Sequence, residues 1–219
     1  MLAPMPPSYN GGMDDTTDNI ITSLRPGDIL HVWRTGLAAL LIRRCCKASG
    51  QHDAIILPPE REGGEMRVGE SLFRSISSVV TPLADYAQAL REGSARVAVL
   101  RFADATPEQG QAAAEWWLRH VRGRPYDVLA YPVLLAKSLL GGCWKWAAGL
   151  RIAYYCTEGV RDAWAKGVGP SFDVWHTASP TPGDTERALS DPGTSLADVT
   201  ADCVTDPAHR LEIKRKDSP

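Results

Sequence analysis

The hydrophobic and polar positions of this chain change period several times, and each change marks an element. Ile29-Leu30-His31-Val32-Trp33 is an apolar run delivered by the turn Leu24-Arg25-Pro26-Gly27-Asp28, and it reads as a first strand. Leu37 through Ile42, with alanines interleaved, predicts a short helix ending near Lys47. Its tail of Arg43, Arg44 and Lys47 is cationic where the helix dipole favours positive charge. Gln51 to Leu57 is a strand candidate closed by Pro58-Pro59. The connection Glu60-Arg61-Glu62-Gly63-Gly64 then turns the chain into Glu65 to Ser71, whose alternation puts Met66, Val68 and Glu70 on one face. Ile76 to Val80 reads as a third strand, and Pro82 opens a helix to about Arg91. Ala95 to Phe102 is the clearest strand of all, because β-branched and apolar residues dominate it.

Helical spacing follows. Thr106-Pro107-Glu108-Gln109 combines an N-cap, a proline at the first helical position and a capping-box pattern, predicting a helix to about Val121. Gly123 to Asp127 is a turn. From Val128 to Ala153 the chain is apolar but broken by Pro132, by Gly141-Gly142 and by Lys137, Lys145 and Arg151. A membrane span wants ~20 uninterrupted apolar residues, so two helical pieces joined at the glycines fit better. After Cys156, the residues Val160, Ala163 and Trp164 recur at helical spacing, with a stop at Gly167. Beyond that helix, Pro, Gly, Ser, Thr and Asp accumulate, and irregular structure is expected up to the basic tail Lys214-Arg215-Lys216, which reads as a solvated end. The Pro-, Gly- and Asp-rich start predicts a disordered arm over 1–18, followed by a single domain over 19–205 and a tail over 206–219. There is no internal repeat.

Composition narrows the partners. A chain of 219 residues and 23.8 kDa buries one good core, and 44% hydrophobic with 23% charged residues is ordinary for a globular protein. A formal net charge of −2 gives no reason to expect nucleic acid. Five cysteines make an odd count without metal-ligand spacing, which points to reduced thiols, no metal and no cofactor. Neither a signal-peptide pattern nor a membrane span is visible, so the cytoplasm is the expected compartment, export by another route being left open.

The chemistry centres on Cys156. A thiol at a helix start feels the positive end of the dipole and unpaired N–H groups, both of which favour the nucleophilic thiolate. The bland alternative is a small buried apolar residue. A nucleophile needs a base, and five histidines are present. His31 lies within an apolar strand, His120 sits late in a helix, and His176 and His209 lie in loop-like stretches. His52 stands at the very start of a strand, where side chains often face a cleft. A hairpin turning near residues 61 to 63 gives Glu70 the same parity as His52, so the carboxylate can orient the imidazole. Asp53 faces the other way.

Gly123-Arg124-Pro125-Tyr126, followed by Tyr155-Cys156-Thr157-Glu158-Gly159-Val160, resembles the NlpC-type branch of the papain-like cysteine peptidases. With His52 ahead of Cys156, Gln51-His52-Asp53-Ala54-Ile55-Ile56-Leu57 is similar to the histidine strand of that branch's circularly permuted members, the YiiX/YebB-like hydrolases and the lecithin:retinol acyltransferase-like proteins. Leu24 to Ile29 looks like their first strand, and the likeness covers roughly residues 24 to 185. It implies an α+β, permuted papain-like fold with an antiparallel sheet packed against helices, one of which starts at the cysteine. It implies Cys156 as nucleophile, His52 as base, Glu70 as orienter, and Tyr126, Tyr155 and Thr157 on the substrate side, with the Cys156 N–H in an oxyanion hole. Two departures stand out: Asp53 replaces an apolar residue, and Gly159 replaces a frequent leucine.

The implied activity is hydrolysis of an amide or ester through a thioester, with peptide, peptidoglycan fragment or lipid-like molecule as substrate. An acyltransferase using the same thioester, and a binding protein without turnover, are the alternatives. Leu134, Leu135, Leu139, Leu140, Trp144 and Trp146, interleaved with Lys137 and Lys145, suit either core helices or a lid with peripheral membrane contact through 128–153.

Overall fold

The structure is a computed structural model that describes residues 13–34, 39–40, 43, 48–128, 153–177 and 179–200. Its strands are β1 (Ile29–Arg34), β2 (His52–Leu57), β3 (Arg67–Leu72), β4 (Ser77–Pro82), β5 (Ala95–Phe102) and β6 (Leu196–Asp198). They form one six-stranded sheet in the order β4-β3-β2-β1-β5-β6, antiparallel at every pairing. The helices are α1 (Met13–Ser23), α2 (Leu83–Arg91), α3 (Pro107–His120), α4 (Cys156–Gly167) and α5 (Pro182–Ser190).

Strand alternation sends side chains to two separate cores. On one face Leu30, Val32, Ala54, Ile56, Val68 and Val99 pack with Leu83 and Tyr86 of α2 and Ile20 of α1. On the other, Ile29, Ile55, Leu57, Leu100 and Phe102 pack with Trp117 of α3 and with Val160, Ala163 and Trp164 of α4. The fold is therefore α+β, a central antiparallel sheet between two helical layers.

Several local predictions hold. β5 covers the expected residues, and α3 starts on the expected capping box: Thr106 Oγ1 accepts from Gln109 N at 3.3 Å, and Gln109 Oε1 accepts from Thr106 N at 2.8 Å. The turn entering β1 can lie against α3 because both contacts are glycine. Gly27, at φ +90°, meets Gly110, and a Cβ on Gly110 would lie 2.3 Å from the Pro26 carbonyl oxygen.

Two expectations are corrected. The stretch expected to be a disordered arm up to Asp18 is helical from Met13, because Thr17 and Ile20 are buried and α1 docks on α2, with Asp18 also 2.5 Å from Arg91. The region after the cysteine helix is not irregular: it holds a 3-10 turn at Pro170–Phe172, then α5 and β6. Thr181-Pro182-Gly183-Asp184 reads as loop by composition, but it is a helix start. The Asp184 carboxylate accepts from Thr181 N and Oγ1, both at 2.7 Å, and proline occupies the first turn. The helix expected over 37–42 lies outside the described residues apart from Ala39 and Leu40, as do nearly all of 128–153 and the tail over 206–219. Among the described residues, no helix is long and apolar enough to cross a membrane.

Candidate active site

The β2–β3 hairpin brings two of the expected side chains together. Its register pairs Ile55 with Gly69 and Ile56 with Val68, which places Glu70 across from Ala54 and diagonal to His52 on the same face. His52 Nε2 lies 3.0 Å from Glu70 Oε2. The Glu70 carboxylate also accepts from Tyr86 Oη and Thr81 Oγ1, each at 2.5 Å. Burial alone would raise its pKa, but His52 and these two hydroxyls hold it down at about 2. It is therefore an ionised, fully engaged carboxylate 2% exposed to solvent.

Cys156 arrives from the opposite face. It is the first residue of α4, preceded by Tyr155 in extended conformation, so the thiol lies at the positive end of the helix. Pairing of β2 with β3 ends at Ile55↔Gly69, and the strands part toward His52. Across this gap the thiol and the His52 ring are close enough for their charges to couple, and Nε2 of that ring is held by Glu70. Burial opposes charge on the imidazole, yet the bonds and charges of Cys156 and Glu70 lift its pKa to about 10. Burial likewise opposes ionisation of the thiol, and the bond and charge of His52 overcome it, taking the Cys156 pKa below its ordinary value. Both directions favour an imidazolium–thiolate pair. Gly159 lets α4 sit close: a Cβ there would lie 3.2 Å from Val121 Cγ1 and 3.3 Å from Trp117 Nε1.

Asp53 does face away from His52, and what it meets there was not foreseen. Its Oδ1 lies 2.6 Å from His31 Nδ1, and its Oδ2 accepts from Thr157 Oγ1 at 2.7 Å and Thr185 Oγ1 at 2.8 Å. His31 Nε2 in turn lies 3.1 Å from Glu186 Oε1, which also accepts from Ser49 N and Oγ and from Gly50 N. Burial would lower the His31 pKa, but the two carboxylates raise it to about 9. The same burial would raise Asp53 and Glu186, and His31 holds both below the ordinary carboxylate value, Glu186 at about 2. Nothing in the spacing of the sequence marks Glu186, 155 residues from His31.

The three residues expected on the substrate side are all buried. Thr157 is fully buried and gives its hydroxyl to Asp53, which makes it a packing and positioning residue where substrate contact was expected. Tyr155 is 5% exposed, with burial and then Glu158 pushing its phenol well above its usual pKa. Tyr126 is buried too, its ring edge-on to Phe73 at 6.0 Å. Its backbone bridges Tyr154 in parallel, and Tyr154 N donates to Pro125 O at 3.0 Å while Asp127 N donates to Tyr154 O at 3.2 Å. The Gly-Arg-Pro-Tyr turn thus straps the segment that leads into Cys156. Of the other histidines, His120 stacks on Trp116 and His176 is exposed at φ 49°; neither meets Cys156 in any described contact.

Among the described residues, no group of three or more His, Cys, Asp or Glu side chains is arranged to hold a metal ion. No protein-family model matches the sequence, and no curated protein does. The fold is distantly similar to the crystal structure of yiiX from Escherichia coli O157:H7, which is described as a metalloprotein: identity is 18%, the TM-score is 0.47, and the match spans 66% of this chain and 66% of that one, just under two thirds of its length.

Proposed function

We propose that this protein is a cysteine hydrolase on a permuted papain-like fold, comprising a single domain over residues 19–205, that cleaves an amide or ester through a thioester on Cys156. One observation carries the reading: His52 lies 3.0 Å from the Glu70 carboxylate at Nε2 and couples electrostatically to the Cys156 thiol at the start of α4. Nucleophile, base and orienter then stand in a row, which is the arrangement thiol catalysis requires.

In this scheme the Cys156 thiolate attacks the substrate carbonyl carbon, and the carbonyl π electrons move to oxygen. The N–H groups at the start of α4 face the developing oxyanion, where preorganised donors act most strongly. Collapse forms the thioester and breaks the bond to the amine or alcohol, which leaves with the proton from His52. Water, deprotonated by His52, attacks the thioester in turn and releases the acid, restoring thiolate and imidazolium. Glu70 keeps the imidazole in one orientation throughout.

Alkylation by iodoacetamide tests the pair directly. An unassisted thiol is only a few per cent thiolate at neutral pH, so Cys156 should react at least ~10-fold faster than Cys45 or Cys203, and His52→Ala should remove most of that advantage. Equal labelling at the three cysteines, indifferent to His52→Ala, would sink the proposal. Substrate class is then read from the mass added to Cys156 after incubation with a peptidoglycan digest or a lipid extract.

A further inference from the structure

We propose that Asp53 is a positioning residue for Cys156, its carboxylate fastening the second residue of the cysteine helix. This rests on the reading of Cys156 as nucleophile.

The ladder places the residue. Ile56 N donates to Asp28 O at 2.8 Å, so the even-numbered residues of β2 bond toward β1. The odd-numbered ones point toward β3, where Ile55 and Leu57 pair with Gly69 and Arg67. Pairing stops before Asp53, which leaves that end of β2 to the start of α4, where Thr157 Oγ1 lies 3.8 Å from the Cys156 sulfur.

The side chain does the complementary work. Odd parity sends it to the face where α4 packs, and there it takes the Thr157 hydroxyl at 2.7 Å. Tyr155 offers α4 no side-chain cap, so the start of this helix is held to the sheet by a carboxylate from β2 acting through Thr157. Asp53 cannot swing, because His31 on β1 and Thr185 on α5 occupy its remaining lone pairs. Asp53 thus grips the nucleophile's neighbour, and its own sequence neighbour His52 supplies the base. The spacing of sulfur from imidazole is set over a two-residue stretch of one strand.

Ordinary core bonding predicts only lost stability when this grip is removed; positioning predicts altered thiol reactivity. The experiment follows iodoacetamide labelling of Cys156 from about pH 5 to 9 in the full chain, with thermal melting alongside. Thr157→Val keeps shape and leaves Asp53 charged, and it should slow labelling at about pH 6 by roughly ten- to a hundredfold, the scale of a ~1 Å misplacement. Thr157→Ser, which keeps the hydroxyl, should restore it. Asp53→Asn should move the thiolate midpoint up, although deleting an anion beside a thiol would by itself move it down.

Lowered melting with unchanged labelling profiles in Thr157→Val, or a downward shift in Asp53→Asn, overturns the proposal. If Asp53→Asn does not fold, the near-isosteric Thr157→Val and its serine counterpart decide alone. The two failures separate cleanly. A wild-type thiol indifferent to His52→Ala removes the nucleophile reading and this one with it. A His52-dependent thiol indifferent to Thr157→Val removes only the positioning role.

Discussion

Glu70 Oε2 lies 3.0 Å from His52 Nε2 across a diagonal of the β2–β3 hairpin, and two hydroxyls, from Tyr86 and Thr81, complete the carboxylate's shell. Groups on β2, β4 and α2 therefore converge on a single carboxylate carried by β3. A charge so enclosed is costly unless every lone pair is used, and here the described partners use them.

Glu70→Gln tests what that charge does. The amide fills the same volume but offers one acceptor oxygen to partners that filled two, and its negative charge is gone. His52 should titrate well below its native value of about 10, which NMR of the imidazole would read directly. Labelling of Cys156 at about pH 6 should fall by roughly tenfold, the effect of one pH unit in thiolate population. An unchanged His52 titration would show that Glu70 does not set its charge state.

Tyr86→Phe removes one donor and leaves the packing of α2 in place, since the ring itself is buried. Losing a hydrogen bond to a charged group costs about 1.5–3 kcal/mol, so a chemical denaturation midpoint should drop accordingly. Glu70 should titrate above its native value of about 2. A variant as stable as the parent would mean the phenol is not engaged in solution.

Gly110→Ala sets two effects against each other. Alanine is better than glycine within a helix by roughly 1 kcal/mol, which favours the variant. Its Cβ, however, would lie 2.3 Å from the Pro26 carbonyl oxygen, a backbone atom that cannot rotate away. Overpacking of this kind costs about 1–3 kcal/mol or more, so the variant should melt below the parent. A gain in melting temperature would show that the turn at Pro26–Gly27 does not bear on α3.

How much of this was legible depends on whether the signal was local. The His52–Glu70 pairing followed from hairpin parity, and the starts of α3 and α4 from residues within one turn of each boundary. Asp53 shows the limit. Its parity was readable, yet its meaning required knowing that β1 lies beside β2 and puts His31 opposite it, as the register shows. Glu186 was beyond reach, because no pattern connects a helix near the end of the chain to a histidine on the first strand. At Thr181–Asp184 the failure was of another kind: proline, glycine and aspartate were counted as loop residues where their order spelled a helix cap.

The last prediction concerns stability at alkaline pH, and the signs decide which residue governs it. His31 and His52 both have raised pKa values in the folded protein, about 9 and about 10 against an ordinary 6.5. Each would therefore stabilise fully below about 6.5 and lose that contribution as pH rises through its folded value. For His52 the loss is offset. Its partner Cys156 is depressed from an ordinary 9, so the folded thiol binds fewer protons than the unfolded one, and its contribution to stability rises with pH where that of His52 falls. The two slopes have opposite signs, and the pair contributes less than His52 would alone. His31 is balanced by no such partner, since Asp53 and Glu186 are ionised throughout. At 1.36 kcal/mol per pH unit, the rise from 6.5 to about 9 corresponds to about 3 kcal/mol lost between those pH values. Urea denaturation at the two ends should show a fall of that order, and His31→Gln should flatten it while lowering stability at neutral pH. A slope that survives His31→Gln would assign the titration elsewhere.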